Sequence, residues 1–178
     1  DSKYIILGGH MGAYDTEKYP YLNYEKQWLK RAIESNTHIL GICLGAQLIA
    51  DSMGGRAYLS NKIEFGFKNL EFLSKDSTFD SFKESKVFTW HRDTFELPDN
   101  AKLIAKTEYP QIFTINNAIA LQFHPEIELE LFNLWYSSDV SQKELITYRV
   151  EEEVMYLKNN LNQLKNSMGE FLHQWIML

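Results

Sequence analysis

Apolar positions recur along this chain with two different periods. Tyr4-Ile5-Ile6-Leu7 is a short continuous apolar run, as a buried strand gives, and it stops at Gly8-Gly9. Leu22 to Ser35 then has helical spacing, with Glu and Lys on its polar face. Thr37 to Ile42 predicts a second strand, and Leu44 to Met53 a helix closed by Gly54-Gly55. From Glu64 to Phe123 the pattern changes to short strands. Phe65, Phe67, Leu70 and Phe72 lead one pair, and Val87-Phe88-Thr89-Trp90 forms another. Ile112 to Ile115 and Ala118 to Phe123 flank Asn116-Asn117, a hairpin signal because Asn tolerates positive φ. After Glu126 the pattern is helical, beginning at Leu129, Phe132, Leu134 and Trp135 and resuming from Tyr148 to Leu178. The alternation predicts an α/β fold.

The second predicted strand runs into Gly41-Ile42-Cys43-Leu44-Gly45, which holds the only cysteine of the chain. A lone Cys is often a small buried hydrophobe. This spacing, however, arises by chance in only about one per cent of chains of such length, and here it joins a strand to a helix. That is the cysteine form of a nucleophile elbow, in which a sharp turn lifts the side chain clear of the backbone. The flanking glycines let neighbouring segments pass close to the strained turn. At a helix N-terminus the dipole and unpaired N–H groups favour thiolate.

A cysteine nucleophile needs a base. The strand ending at Phe123 runs straight into His124-Pro125-Glu126. Proline cannot continue a ladder, so His124 projects from the strand tip. Glu126 stands where it can hold the imidazole in the orientation a base requires. The candidate triad is therefore Cys43, His124 and Glu126. The glycine pair after the first strand frees backbone N–H groups; Gly9, with the Leu44 N–H, makes a candidate oxyanion hole for a tetrahedral intermediate.

Composition narrows the partners. The chain has 178 residues, 44% of them hydrophobic, enough for one substantial core and a single domain over residues 1–178. A net charge of −6 without a long basic run argues against a nucleic-acid surface. No apolar run is long enough to cross a membrane. One cysteine cannot form an internal disulfide, which fits a reducing cytoplasm. No metal-ligand spacing and no glycine-rich phosphate loop appear, so neither metal nor cofactor is expected.

Four stretches together resemble the class I, triad-type glutamine amidotransferase domain, of the stand-alone kind similar to the amidotransferase part of GMP synthase. They are Ile6-Leu7-Gly8-Gly9-His10-Met11 with Tyr14-Asp15, then Leu40 to Gln47, Trp90-His91-Arg92-Asp93-Thr94-Phe95, and Leu121 to Glu126. The resemblance implies a three-layer, flavodoxin-like sandwich with a mostly parallel central sheet and a small antiparallel β addition. Residues 127–178 then form a helical extension, read as a cover for the core or a homodimer surface. It implies glutamine hydrolysis through a γ-glutamyl thioester on Cys43, with His124 protonating ammonia and then activating water, and Glu126 orienting His124. It also implies glutamine binding by Gly9, Met11, Leu44 and Gln47, and by the segment of Trp90, Arg92 and Asp93. An ammonia-accepting synthase would act in trans. The family begins with a further strand–helix unit, roughly 30 residues, so the natural protein is expected to be longer.

Two departures stand out: His10 where the family usually has proline, and Arg92 where it often has glycine. His10 is read as a spectator. Arg92 lies where the substrate's charged end is expected, and arginine grips carboxylates in bidentate fashion. Two other readings remain open: a γ-glutamyl hydrolase acting on a larger γ-glutamyl amide, and a non-catalytic binding module on this scaffold. Arg92→Ala is expected to raise KM for the amide substrate; unchanged KM and kcat in steady-state kinetics would remove Arg92 from anion recognition.

Overall fold

The computed structural model of the chain describes residues 2–178. Its elements follow in the order β1 Lys3–Ile6, α1 Tyr21–Glu34, β2 His38–Ile42, α2 Leu44–Ser52, β3 Arg56–Lys68 and β4 Glu71–Phe72. A 3-10 helix at Ser77–Phe82 leads to β5 Val87–Glu96, β6 Lys102–Lys106, β7 Pro110–Ile115 and β8 Ala118–Leu121. Three helices close the chain, α3 Leu129–Tyr136, α4 Asp139–Glu144 and α5 Val150–Met177.

Six strands form the central sheet in the order β1-β2-β8-β7-β6-β4. β1, β2 and β8 are parallel neighbours. β7, β6 and β4 continue the sheet in antiparallel steps, so β6 also runs with the parallel set. β3 and β5 make a separate antiparallel ribbon. The fold is thus α/β, with a mostly parallel central sheet, a small antiparallel addition and a long C-terminal helix.

Strand periodicity decides which layer packs where. Successive side chains point to opposite faces, and the two faces of this sheet differ in size. Ile39, Ala118 and Ala120 face the layer of α1 and α2, packing with Leu29, Ile33 and Leu48. Leu40, Ile42, Ile119 and Leu121 face the other way, against Phe79 and Phe82 of the 3-10 helix and Phe171 and Trp175 of α5. Small residues at the front let α2 approach closely, while large ones at the back meet large aromatics. The buried stripe of α5, Leu157, Leu164, Phe171 and Trp175, repeats at helical spacing and closes the third layer. A third cluster gathers Phe65 and Phe88 of the ribbon with Phe132 and Leu157, tying α3 and α5 to it.

The sequence pattern and the structure differ in the middle of the chain. β3 begins at Arg56 rather than Glu64, with an irregularity between Leu59 and Glu64 where polar Ser60, Asn61 and Lys62 interrupt the apolar rhythm. β3 pairs with β5, whereas Phe72 sits in β4 and pairs with Ala105 of the central sheet. β6 carried no distinct signal, being short and bounded by lysines. The hairpin at Asn116-Asn117 is present, with Asn116 at φ 49°. Among the described residues, no helix is long and apolar enough to cross a membrane.

The tightest contact in the fold lies between α2 and the strands before it. A Cβ on Gly45 would collide with the Ile6 carbonyl oxygen, and one on Gly41 would lie 2.6 Å from the Gly45 carbonyl carbon. Both obstacles are backbone and cannot swing aside. Gly45→Ala should therefore lower the unfolding free energy by roughly 1–3 kcal/mol or more. Gly169→Ala, inside α5 with nothing within 4 Å of the added Cβ, should raise it by roughly 0.5–1 kcal/mol. Urea unfolding followed by tryptophan fluorescence checks both; equal effects at the two sites would contradict the packing described.

Candidate active site

β2 delivers Cys43 to the carboxyl edge of the parallel strands, and α2 starts at the next residue. Cys43 has φ 52° and ψ −106°, a sparsely populated combination for a residue with a Cβ. Hydrogen bonds hold it on both sides. Its N–H donates to the Leu121 carbonyl at 2.8 Å, and its carbonyl accepts from the Gln47 N–H at 3.1 Å. The side chain is buried but for 7%.

His124 follows β8, where its backbone N–H donates to the Phe88 carbonyl of β5 at 2.8 Å. Its Nδ1 meets Glu126 Oε1 at 2.7 Å, which leaves Nε2 as the nitrogen available to the sulfur. Gly8 separates the two reactive side chains: a Cβ there would lie 3.3 Å from His124 Cε1 and 3.4 Å from Cys43 Cβ. Burial works against a proton on His124, but the charge and hydrogen bond of Cys43, followed by Glu126, outweigh it. The histidine pKa is pushed up to about 10. Trp135 of α3 closes one side, its ring 4.8 Å from the imidazole.

The other residues singled out by sequence fall into two groups. Gly9, Met11 and Leu44 are adjacent, since a Cβ on Gly9 would come within 2.9 Å of Leu44 Cδ2 and 3.2 Å of Met11 Cε. Gln47, on the first turn of α2, donates through Nε2 to the Asp93 carbonyl at 3.1 Å and to Gln122 Oε1 at 3.2 Å. Asp93 Oδ1 in turn accepts from the Tyr14 hydroxyl at 2.9 Å. Burial raises the Asp93 carboxyl above its usual range against the pull of the Tyr14 hydroxyl. Tyr14 is pushed up to about 12 by burial, then by Asp93.

Arg92 is exposed and close enough to Asp93 and Tyr14 for its charge to act on both. Trp90 is the residue that the structure sets apart. Its ring packs among Phe65, Phe132 and Trp135, and its indole N–H donates to Glu144 Oε2 at 3.3 Å. Its side chain therefore belongs to the aromatic wall under α3 and α4. His10 is exposed and meets the Tyr19 hydroxyl at 3.2 Å. Sequence reasoning gave no role to the Tyr14 hydroxyl, to Trp135 or to the buried pair Glu64 and His91. For that pair a signal existed: a carboxylate at an inward strand position between Ile63 and Phe65.

Comparison with known proteins agrees with this geometry. A family model described as glutamine amidotransferase class-I matches residues 2–138. A glutamine-hydrolyzing GMP synthase of Brachyspira hyodysenteriae is 36% identical over 132 residues, 70% of this chain but 24% of that protein. One of the separately encoded subunits of the glutamine-hydrolyzing GMP synthase of Pyrococcus abyssi is 37% identical over 100 residues, 53% of either chain. The chain thus spans well under two thirds of these relatives. A crystal structure of a glutamine amidotransferase from Thermotoga maritima superposes with a TM-score of 0.85 at 31% identity, covering 97% of this chain and 77% of that one.

The elevated histidine makes a testable statement. A folded-state pKa above the unfolded value of about 6.5 contributes stability that is complete below that pH. The contribution disappears as pH rises toward about 10. In nitrogen-15 NMR titrations His124 should keep its proton well above about pH 6.5. Cys43→Ala, which removes the largest raising influence and leaves burial in place, should bring the titration down. An unmoved titration in that variant would detach His124 from Cys43.

Proposed function

This chain belongs to the class-I glutamine amidotransferase family, and from that premise we propose that it hydrolyses the side-chain amide of glutamine through a thioester on Cys43. The observation that carries this reading is the constellation at the end of β2. A strained cysteine at a helix start faces a buried histidine whose far nitrogen is held by a carboxylate.

The reaction divides into two acyl transfers. The Cys43 thiolate attacks the amide carbon, and the carbonyl oxygen takes up negative charge facing the backbone N–H groups of Gly9 and Leu44. His124 gives its proton to the amide nitrogen as the carbon–nitrogen bond breaks, and ammonia leaves. A water molecule then attacks the thioester, losing its proton to His124. The carbon–sulfur bond breaks, glutamate departs and the thiolate returns. Glu126 keeps His124 in the orientation both steps use. One lost oxyanion donor typically costs about 3 kcal/mol of barrier, so the close approach at Gly9 and Leu44 is part of the chemistry.

Substrate binding falls to Gly9, Met11, Leu44 and Gln47 around the side chain, and to Arg92 and Asp93 at the amino-acid end. Trp90 contributes through its backbone and as a wall. The similarity to a single subunit of a GMP synthase supports an ammonia-accepting synthase in trans as the partner. A second reading, hydrolysis of a larger γ-glutamyl amide, is favoured by Arg92, whose exposed guanidinium pairs with no carboxylate among the described residues.

The deciding assay is glutamate release from L-glutamine by wild type and Cys43→Ser. Wild-type activity that falls by about a thousandfold or more in the variant is expected, as for loss of a nucleophile in comparable triads. No release by the wild type, together with no labelling of Cys43 by a γ-electrophilic glutamine analogue, would overturn the assignment.

A further inference from the structure

Behind Gln47 lies a second histidine–carboxylate pair that the reaction above does not use. Glu64 of β3 and His91 of β5 stand directly opposite each other in the ribbon, at the first matched position after its irregularity. Both are buried, their side chains 8% and 2% exposed. His91 Nε2 donates to Glu64 Oε2 at 2.8 Å, and Gln111 Nε2 donates to the same oxygen at 2.7 Å. The Thr107 hydroxyl donates to Oε1 at 2.5 Å. Three donors thus converge on one carboxylate, and hydrogen bonds from His91 and Thr107 hold it below the usual range although burial acts to raise it.

The other imidazole nitrogen leads toward the site. His91 Nδ1 lies 2.8 Å from the Asp93 carbonyl oxygen, which can only accept. With a carboxylate on one side and a carbonyl on the other, both ring nitrogens face acceptors, and both therefore carry hydrogen. The same Asp93 carbonyl accepts from Gln47 Nε2, and the second hydrogen of that amide goes to Gln122 Oε1. Both Gln47 amide hydrogens are spent on buried acceptors. The Gln47 oxygen is then the atom left to face a ligand, and its orientation is set by partners rather than by free rotation.

We propose that Glu64 and His91 are positioning residues for amino-acid recognition. The pair fixes the Asp93 carbonyl, the carbonyl orients the Gln47 amide, and Gln47 presents Oε1 to a donor on the substrate, such as its α-ammonium group. The inference rests on the glutamine reading above. It explains why a charge pair is kept in the core of the ribbon, where an apolar pair would fold at least as well. It also gives the ribbon a function beyond packing: cross-strand register sets a recognition atom on a different element.

The test combines kinetics with NMR on the full chain. His91→Asn and Glu64→Gln should raise KM for glutamine about tenfold, on the scale of one well-placed hydrogen bond, while kcat changes by less than about threefold. Alkylation of Cys43 by iodoacetamide should proceed at the wild-type rate. Adding His91→Asn to Gln47→Ala should change KM no further, because both act on one contact. Additive effects in that double variant, or a shared loss of kcat and Cys43 alkylation, would reduce the pair to a structural staple and overturn the proposal. If the wild type does not turn over glutamine, the reaction assignment fails separately, and NMR decides this inference. The two His91 nitrogens should show the near-equal shifts of a doubly protonated ring, and the Gln47 side-chain amide resonances should move in His91→Asn. Unmoved Gln47 resonances would overturn it, and should Glu64→Gln not fold, His91→Asn carries the test.

Discussion

Helix α2 rests against the backbone of β1 and β2 with no side chain between them, and the arrangement of the candidate site descends from that contact. Gly41 and Gly45 clear the space, and Cys43, caught between them, must turn through φ 52°. A residue held in such a conformation costs of order 1–3 kcal/mol, and it persists only where its surroundings over-determine it. Here they do. The Cys43 N–H is tied to β8, its carbonyl begins the α2 hydrogen-bond ladder, and Ala118 and Ala120 keep the sheet surface flat enough for the helix to settle. Strain at the nucleophile is carried by packing several residues away.

β5 has a comparable organising role for the remaining groups. It lies outside the central sheet, yet three of its residues reach the site by different routes. The Phe88 carbonyl anchors the His124 backbone, the Asp93 carbonyl anchors the Gln47 side chain, and Trp90 joins Phe132 and Trp135 in the wall beside the imidazole. Two of those contacts use backbone oxygens. They are indifferent to the identity of Phe88 and Asp93 but sensitive to the register of β5 on β3, which Glu64 and His91 help to hold.

That distinction explains what could be read from the chain and what could not. The turn at Cys43, the strand end at His124-Pro125 and the hairpin at Asn116-Asn117 each depend on local backbone geometry. Residue types that permit such geometry announce themselves in a few positions. The wall formed by Trp135 was legible as a helix face but not as a neighbour of His124, because that contact depends on how α3 docks. The pairing of Glu64 with His91 spans 27 residues and follows an irregularity in β3 that polar residues conceal. Trp90, read as a ligand-binding position, turns its indole toward Glu144 for the same reason: its direction is set by α4, an element with only a weak pattern of its own.

The site is also divided by solvation, and the division matches two kinds of chemistry. Around Cys43, His124 and Glu126 the groups are largely sheltered, so charges act on one another at short range with little screening, as the elevated His124 shows. Toward Arg92 and Tyr14 the surface opens, and there a charge contributes selectivity more than raw affinity, because water competes for every contact. Gln47 stands at the boundary, 2% exposed and held from behind by buried acceptors. A substrate lying across that boundary would place its reacting amide in the sheltered half and its zwitterionic end in the open half. The nucleophile would then meet the amide in a medium that strengthens electrostatic stabilisation of the developing oxyanion, while the charged end keeps part of its hydration.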